Sequence, residues 1–159
     1  MASLRVEDFS VNSIIGPGTT VIGNIDSAGF TRVDGNVLGD LRVNGPLIIG
    51  ERARMKGNIS ATFITLGGVV VGNILASERL VVLATGLVMG DIITRRIQAD
   101  QGCLIHGRIV LCRTDDAWNQ ALSEYRDVIR VRESLSIALK NQQVVQTNGQ
   151  DRYQRTFNT

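Results

Sequence analysis

Val21-Ile22-Gly23-Asn24-Ile25 contains the first of six copies of one pattern, in which a glycine is followed by a polar residue and an aliphatic residue. The glycines of the six copies are Gly23, Gly39, Gly57, Gly72, Gly90 and Gly107. They are separated by 16, 18, 15, 18 and 17 residues, so the spacing is nearly constant. Such self-similarity predicts a repeat architecture in which each unit stacks on the next.

Aliphatic residues stand two positions before and after each glycine, as Val88 and Ile92 do around Gly90. This alternation is typical of a strand with one buried face. A second alternating pair lies upstream of the motif, for example Leu80 and Val82. Each unit is therefore predicted to hold about three short strands. Six units stacked about 4.8 Å apart give an all-β solenoid, a parallel β-helix roughly 29 Å long.

The glycines are expected at corners, where converging backbones leave no room for a side chain. The residue after each glycine should point outward and stack on its counterpart in the next coil. That column reads Asn24, Asp40, Asn58, Asn73, Asp91 and Arg108. Asp40 and Asp91 would lie about 14 Å apart in this stack, too far to share an ion. The column is therefore predicted to be a structural ladder.

Outward positions in the same register are unexpectedly apolar in the later coils. The outer stripe consists of Val69, Val71, Leu87, Met89 and Leu104. An apolar patch of this kind usually marks a surface that something covers. Either the C-terminal part of the chain folds back on it, or the stripe joins filaments side by side or meets a membrane surface.

A helix is predicted from Asp115 to Lys140, because Thr114-Asp115-Asp116 resembles a helix start. Its apolar anchor recurs at helical spacing and consists of Trp118, Leu122, Tyr125 and Ile129. The predicted divisions are an N-terminal tail (1–12), a β-helix domain (13–112), an amphipathic helix (113–140) and a disordered tail (141–159).

Composition excludes several classes of function. The chain has 17 basic and 15 acidic residues, a balance that does not favour nucleic acid as a partner. It shows neither an apolar membrane span nor a signal peptide, and two cysteines indicate a reduced, cytoplasmic protein. His106 is the sole histidine, and no catalytic triad or phosphate-binding loop is present. We therefore expect no enzyme activity, cofactor or metal.

Units such as Thr20-Val21-Ile22-Gly23-Asn24-Ile25 and Val88-Met89-Gly90-Asp91-Ile92 resemble those of bactofilins, bacterial polymer-forming cytoskeletal proteins. The resemblance covers about residues 13 to 111. It implies a right-handed β-helix that assembles end to end into nucleotide-independent filaments. Such a filament would be a scaffold for cell shape or envelope organisation, with itself as main partner and cell-envelope or cell-wall enzymes as further partners.

End-to-end assembly would use inward residues of the terminal coils. These are Val21, Ile25, Ile105, Ile109 and Leu111. Attachment to the inner face of the cell membrane has weak support, because Arg5 is the sole basic residue among Leu4, Val6 and Phe9. Two alternatives stay open: a trimeric acyltransferase of the hexapeptide-repeat type, and an adaptor that binds a partner through the outer stripe.

Overall fold

The structure is a computed structural model of the 159-residue chain. It describes the backbone of residues 11–157 and the side chains of residues 11–142. The chain divides into two compact units, and the boundary between them follows Trp118. The predicted N-terminal tail lies outside the described residues except for Val11 and Asn12, which belong to the first strand.

The strands of the first unit form a parallel β-solenoid with three faces. Face A consists of β1 (Val11–Ile15), β4 (Phe30–Val33), β7 (Pro46–Ile49), the second parts of β9 (Ile59–Leu66) and β11 (Ile74–Val82), and β14 (Ile97–Ala99). Face B consists of β2 (Thr20–Ile22), β5 (Asn36–Leu38), β8 (Arg54–Lys56), β10 (Val69–Val71), β12 (Leu87–Met89) and β15 (Leu104–His106). Face C consists of β3 (Ile25–Ala28), β6 (Leu41–Asn44), the first parts of β9 and β11, β13 (Ile92–Thr94) and β16 (Ile109–Leu111). The chain passes through faces A, B and C in each coil and completes six coils, which confirms the predicted fold.

Every strand pairs in parallel with its counterpart one coil later, so equivalent residues stack in straight columns. The inward column of face B is Val21, Val37, Met55, Val70, Val88 and Ile105. The inward column of face C is Ile25, Leu41, Ile59, Ile74, Ile92 and Ile109. In the four middle coils these side chains are at most 2% exposed. The core is therefore a set of aliphatic rows parallel to the solenoid axis.

Most of the unevenness in the steps between glycines arises at one corner. Between faces A and B the chain uses two residues in the second and fourth coils, Asp34-Gly35 and Gly67-Gly68, and four residues in the other coils. The coils with the short corner are those reached by steps of 16 and 15 residues. Length variation is thus absorbed in a surface corner, and the stacking of the inward rows is left intact.

The second unit is almost wholly the helix α1 (Asp115–Phe157), which begins within the first unit. The Thr114 hydroxyl oxygen accepts a hydrogen bond from the Ala117 N–H at 3.2 Å, which is N-cap geometry. The helix continues past its predicted end at Lys140, through residues expected to be disordered. No proline interrupts this stretch, and Gly149 alone costs only about 1 kcal/mol in a helix interior. Polar composition suggested disorder but does not by itself end a helix.

Candidate assembly interface

The six repeat glycines lie at the corner between faces B and C. Their φ angles lie between 127° and 154°, a region that side chains rarely adopt. A Cβ atom on Gly57 would collide with the carbonyl oxygen of Gly39 in the preceding coil, and the same holds at each later copy. The sequence predicted that converging backbones at this corner leave no room for a side chain. The structure shows that the neighbouring coil imposes this restriction.

Gly23 differs from the other five glycines because no coil among the described residues precedes it on this face. Its φ is also positive, but none of the described atoms lies within 4 Å of the place where its Cβ would be. Gly39 packs against Gly23, but no equivalent residue packs against Gly23 from its N-terminal side within the described residues. The corner geometry is repeated up to the N-terminal edge of the solenoid and then left open.

The polar ladder beside these glycines connects side chains to backbone. The side-chain oxygen of each residue accepts the N–H of the next rung at 2.9–3.1 Å, along the whole column from Asn24 to Arg108. Asn and Asp can alternate because only an acceptor oxygen is required. Arg108 forms the last rung and also donates to Asp91 Oδ2 at 2.9 Å. This ion pair raises the pKa of Arg108, through the hydrogen bond first and the charge second.

Both ends of the inward rows are open. Val21, Ile25 and Ile105 are only half-buried, although their neighbours in the same columns are sealed. Ile109 and Leu111 are 45% and 47% exposed. These five residues are the predicted end-to-end interface, and the structure places them at the two edges of the core. Within residues 11–142, each edge therefore combines aliphatic side chains with outermost strands that have a partner strand on one side only.

The two edges differ chemically, which the sequence did not reveal. At the N-terminal edge Ser13 and Ser27 of the first coil and Thr31 of the second form a chain of hydroxyl hydrogen bonds at 3.2 and 2.8 Å. The equivalent inward positions of the last coil are Ile97 and Leu111. Hydroxyl side chains at alternating positions looked like ordinary strand residues in the sequence. Only the stacking register shows that they share one end of the core.

The outer stripe lies on face B, where its residues occupy neighbouring strands. Val71, Met89 and Leu104 are 41–59% exposed, whereas Val69 and Leu87 are half-buried by their neighbours. Arg54 and Lys56 adjoin them on β8, and His106 is exposed beyond Met89 on β15. The stripe is thus an accessible apolar surface with a basic border.

The start of the C-terminal segment is held at the corner between β13 and β14. The Arg95 guanidinium pairs with Asp115 at 2.6 Å and lies 5.7 Å from the centre of the Trp118 ring. The Cys112 N–H donates a hydrogen bond to the Thr94 carbonyl oxygen at 2.9 Å and so extends the backbone pairing of β16 with β13. If the C-terminal segment folded back on the solenoid, Trp118 was expected to anchor it on the outer stripe of face B. The structure instead stacks it beside Arg95, because Leu111 ends face C and the chain is only a few residues further on.

The other predicted anchor residues, Leu122, Tyr125 and Ile129, are half-buried on one side of α1.

A further apolar position, on face C, was not identified from the sequence. Ile93 points outward from face C, as does Leu75 in the preceding coil, yet Ile93 is only 6% exposed. The pair Ile92-Ile93 breaks the alternation, and this was the signal that could have identified a covered outward residue.

Little in the described residues suggests chemistry at a reactive site. Cys103 and Cys112 are free thiols, and burial raises the pKa of Cys112 although the charge of Arg95 opposes this. No group of three His, Cys, Asp or Glu side chains that could hold a metal occurs within the part of the chain described. No helix found there is long and apolar enough to cross a membrane.

Comparisons with known proteins agree with this arrangement. A profile of the family described as "Bactofilin: Polymer-forming cytoskeletal" matches residues 13–110. Bactofilin BacP of Myxococcus xanthus (strain DK1622) is 31% identical over 98 residues, which is 62% of this chain and 41% of that protein. The chain thus spans about two fifths of that relative.

A solved structure described as a cryo-EM reconstruction of Thermus thermophilus bactofilin double helical filaments is also similar, with a TM-score of 0.61 and 28% identity. The match covers 63% of this chain and 99% of the Thermus chain. The resemblance inferred from the repeat is therefore confirmed, since the family profile covers more than half of the residues. This chain belongs to the bactofilin family of polymer-forming cytoskeletal proteins.

Proposed function

We propose that this chain is a structural scaffold that joins end to end, through the open edges of its solenoid, into filaments that need no nucleotide. One observation carries the proposal: rows of aliphatic side chains that are sealed in the middle coils are open at both ends. The chain is similar to a Thermus bactofilin solved as filaments, which supports polymer formation by this fold.

The driving force for joining is burial of the edge residues. Fully burying an exposed aliphatic side chain stabilises by about 1.5–3 kcal/mol, and Ile109, which is 45% exposed, would gain about half of that. The last strand of each face also carries backbone N–H and C=O groups that a neighbouring coil could satisfy. Neither contribution needs a nucleotide, and the sequence offers no loop built to bind one. Assembly should therefore depend on protein concentration alone.

Negative-stain electron microscopy of the purified chain in nucleotide-free buffer tests this function. We expect filaments whose abundance rises with protein concentration and does not change when ATP or GTP is added. Discrete trimers that bind acyl-CoA would contradict the proposal and favour an acyltransferase. Particles that stay monomeric at every concentration would favour an adaptor.

We propose a non-enzymatic role because the sole histidine has no adjacent partner group for catalysis in its column of described residues. His106 is exposed on face B, stacked beside Met89, and its neighbours on β15 are the apolar residues Leu104 and Ile105.

Residues 13–112 would be the assembling domain, in the cytoplasm or at the inner face of the cell membrane. The filament would support cell shape or envelope organisation, with cell-envelope or cell-wall enzymes as partners. A fluorescent fusion that gave a uniform cytoplasmic signal would contradict a filament role in cells.

The outer stripe is proposed as the lateral contact surface of the filament. Its columns run along the solenoid axis, so end-to-end stacking would repeat them along every filament. The Thermus bactofilin filaments are described as double helical, which supports lateral pairing as part of the proposal. Met89→Asp should therefore yield single filaments by electron microscopy, with Arg42→Asp on face C as a control. Paired filaments in Met89→Asp would instead assign the stripe to a membrane or another protein.

A further inference from the structure

The helix α1 lies beyond the region shared with the bactofilin profile, which ends at residue 110. It has 43 residues and is therefore about 65 Å long. Every described residue from 130 to 142 is exposed. Helices in proteins owe most of their stability to packing of one face, and this stretch contains weak helix formers such as Val131, Ser134 and Ile137. A covering partner would supply the stabilisation that the single chain lacks.

Two apolar stripes run along α1. The first is the half-buried one that ends at Ile129. The second is turned about 100° around the helix from the first. We call it the helix stripe, and it consists of Val128, Val131, Leu135 and Leu139, each 46–61% exposed. Four large aliphatic side chains exposed in a row are unusual on a helix of a water-soluble protein and indicate a contact surface.

Three residues of the helix stripe fit a short coiled-coil seam, and the fourth, Leu139, lies beside the seam at an e position. With Val128 and Leu135 at a positions, Val131 and Ala138 fall at d positions. A polar residue, Gln142, occupies the next a position, and such residues fix the register of a pair.

Charges beside the seam identify the partner. Asp127 precedes the first a position and is therefore at g, whereas Arg132 follows d and is at e. In a parallel pair a g residue faces the e residue five positions later on the other helix. Asp127 of one copy would thus face Arg132 of the other, twice by symmetry. Both side chains are exposed, and neither forms an ion pair among the described residues.

We propose that α1 pairs in parallel with α1 of a second copy of this chain, through the helix stripe and two Asp127–Arg132 ion pairs. The seam is short, so isolated chains would pair weakly. Filament formation would hold many helices at high local concentration and strengthen each contact. The pairing is a property additional to the proposed filament, and it rests on the filament only for the high local concentration of helices. Self-pairing is preferred to another partner because the charges beside the stripe, Asp127 and Arg132, are complementary to those of a second copy.

Disulfide cross-linking of the full-length chain tests the pairing. Val131→Cys puts a thiol at a d position, where the two copies would lie within the roughly 5.5 Å between Cα atoms that a disulfide needs. Ile137→Cys is the matched control, because Ile137 is equally exposed but lies on the opposite side of the helix. Mild oxidation should give about ten-fold more dimer from Val131→Cys than from Ile137→Cys. The control also measures any background from Cys103 and Cys112.

Charge reversal in the Val131→Cys chain tests the partner. Asp127→Arg would place arginines opposite each other and should lower the cross-linked fraction several-fold. Adding Arg132→Asp restores opposite charges and should restore cross-linking. Arg130→Asp, on the other side of the helix, should leave it unchanged.

Equal cross-linking of Val131→Cys and Ile137→Cys, or no rescue by the double reversal, would overturn the pairing. A Val131→Cys thiol that neither cross-links nor reacts readily with a maleimide would also overturn it and show that another molecule covers the stripe. Electron microscopy of the same chains separates the two proposals. Filaments without cross-linking would overturn only the helix pairing, whereas cross-linking without filaments would overturn only end-to-end assembly.

Discussion

At the scale of single residues, the coils can stack closely because the repeat glycines have no side chain. Five repeat glycines bring their backbones against the carbonyl of the glycine one coil earlier. A side chain at any of them would require both a strained φ and a displaced coil. Gly23 shares the conformation but lacks the neighbour, so it separates the two effects.

Gly57→Ala should therefore destabilise the chain by about 3 kcal/mol or more, since backbone strain and a collision with Gly39 act together. Gly23→Ala should cost only the strain, about 1–2 kcal/mol. Urea unfolding followed by circular dichroism measures both. Equal losses of stability would show that the neighbouring coil is not the cause.

The polar ladder makes a second residue-scale prediction. Asp40→Asn keeps the oxygen that accepts the Asn58 N–H and should change the free energy of unfolding by less than about 0.5 kcal/mol. Asp40→Ala leaves that N–H without its acceptor and should cost about 1 kcal/mol. If both substitutions were neutral in urea unfolding, the ladder would add nothing to stability.

The repeat predicted which residues form the corners and the ladder, because spacing and alternation are visible in the sequence. The cause of the glycine requirement was not visible. It depends on the direction of a missing Cβ relative to the next coil, and this follows from backbone angles and stacking register. The same holds for the hydroxyl cluster, in which Ser13 lies 14 residues before Ser27 and meets it only because the chain turns through the corners of the first coil.

At the scale of elements, Arg95 links the last coils to the start of α1. The sequence predicted the helix start at Asp115, since capping residues act locally. It did not predict the contact with Arg95, because an arginine at a strand end has many potential partners. The outer stripe was one expected site for Trp118, but it lies on face B, whereas the chain leaves the solenoid from face C.

Arg95→Ala should loosen this junction by removing the ion pair with Asp115 and the stacking on Trp118. We expect Cys112, which is 2% exposed in the structure, to react with a maleimide several-fold faster. Loss of the Arg95 charge alone would raise the pKa of the thiol further and slow the reaction. Faster labelling therefore reports exposure.

The matched control for this junction is Arg96→Ala, which removes the adjacent exposed arginine and leaves the Arg95 contacts in place. Its labelling rate should equal that of the unmodified chain. Similar rates for Arg95→Ala and the unmodified chain would mean that other contacts hold the segment.

At the scale of the whole molecule, the solenoid leaves both edges of its core open. Six coils, three strands per coil and the aliphatic rows were predictable, because each follows from periodicity. The exposure of the terminal side chains followed from the same register. The end of α1 could not be predicted from the sequence, because a polar segment without proline is compatible with both helix and disorder.

The central claim is that filaments grow through these edges, and a paired substitution tests it most directly. Ile109→Arg puts a charge in the inward row of the last coil, whereas Val110→Arg places the same charge on the outward side of the same strand. Electron microscopy at equal protein concentrations should show few or no filaments for Ile109→Arg and abundant ones for Val110→Arg. Filaments of unchanged abundance and length in Ile109→Arg would contradict assembly through the coil ends.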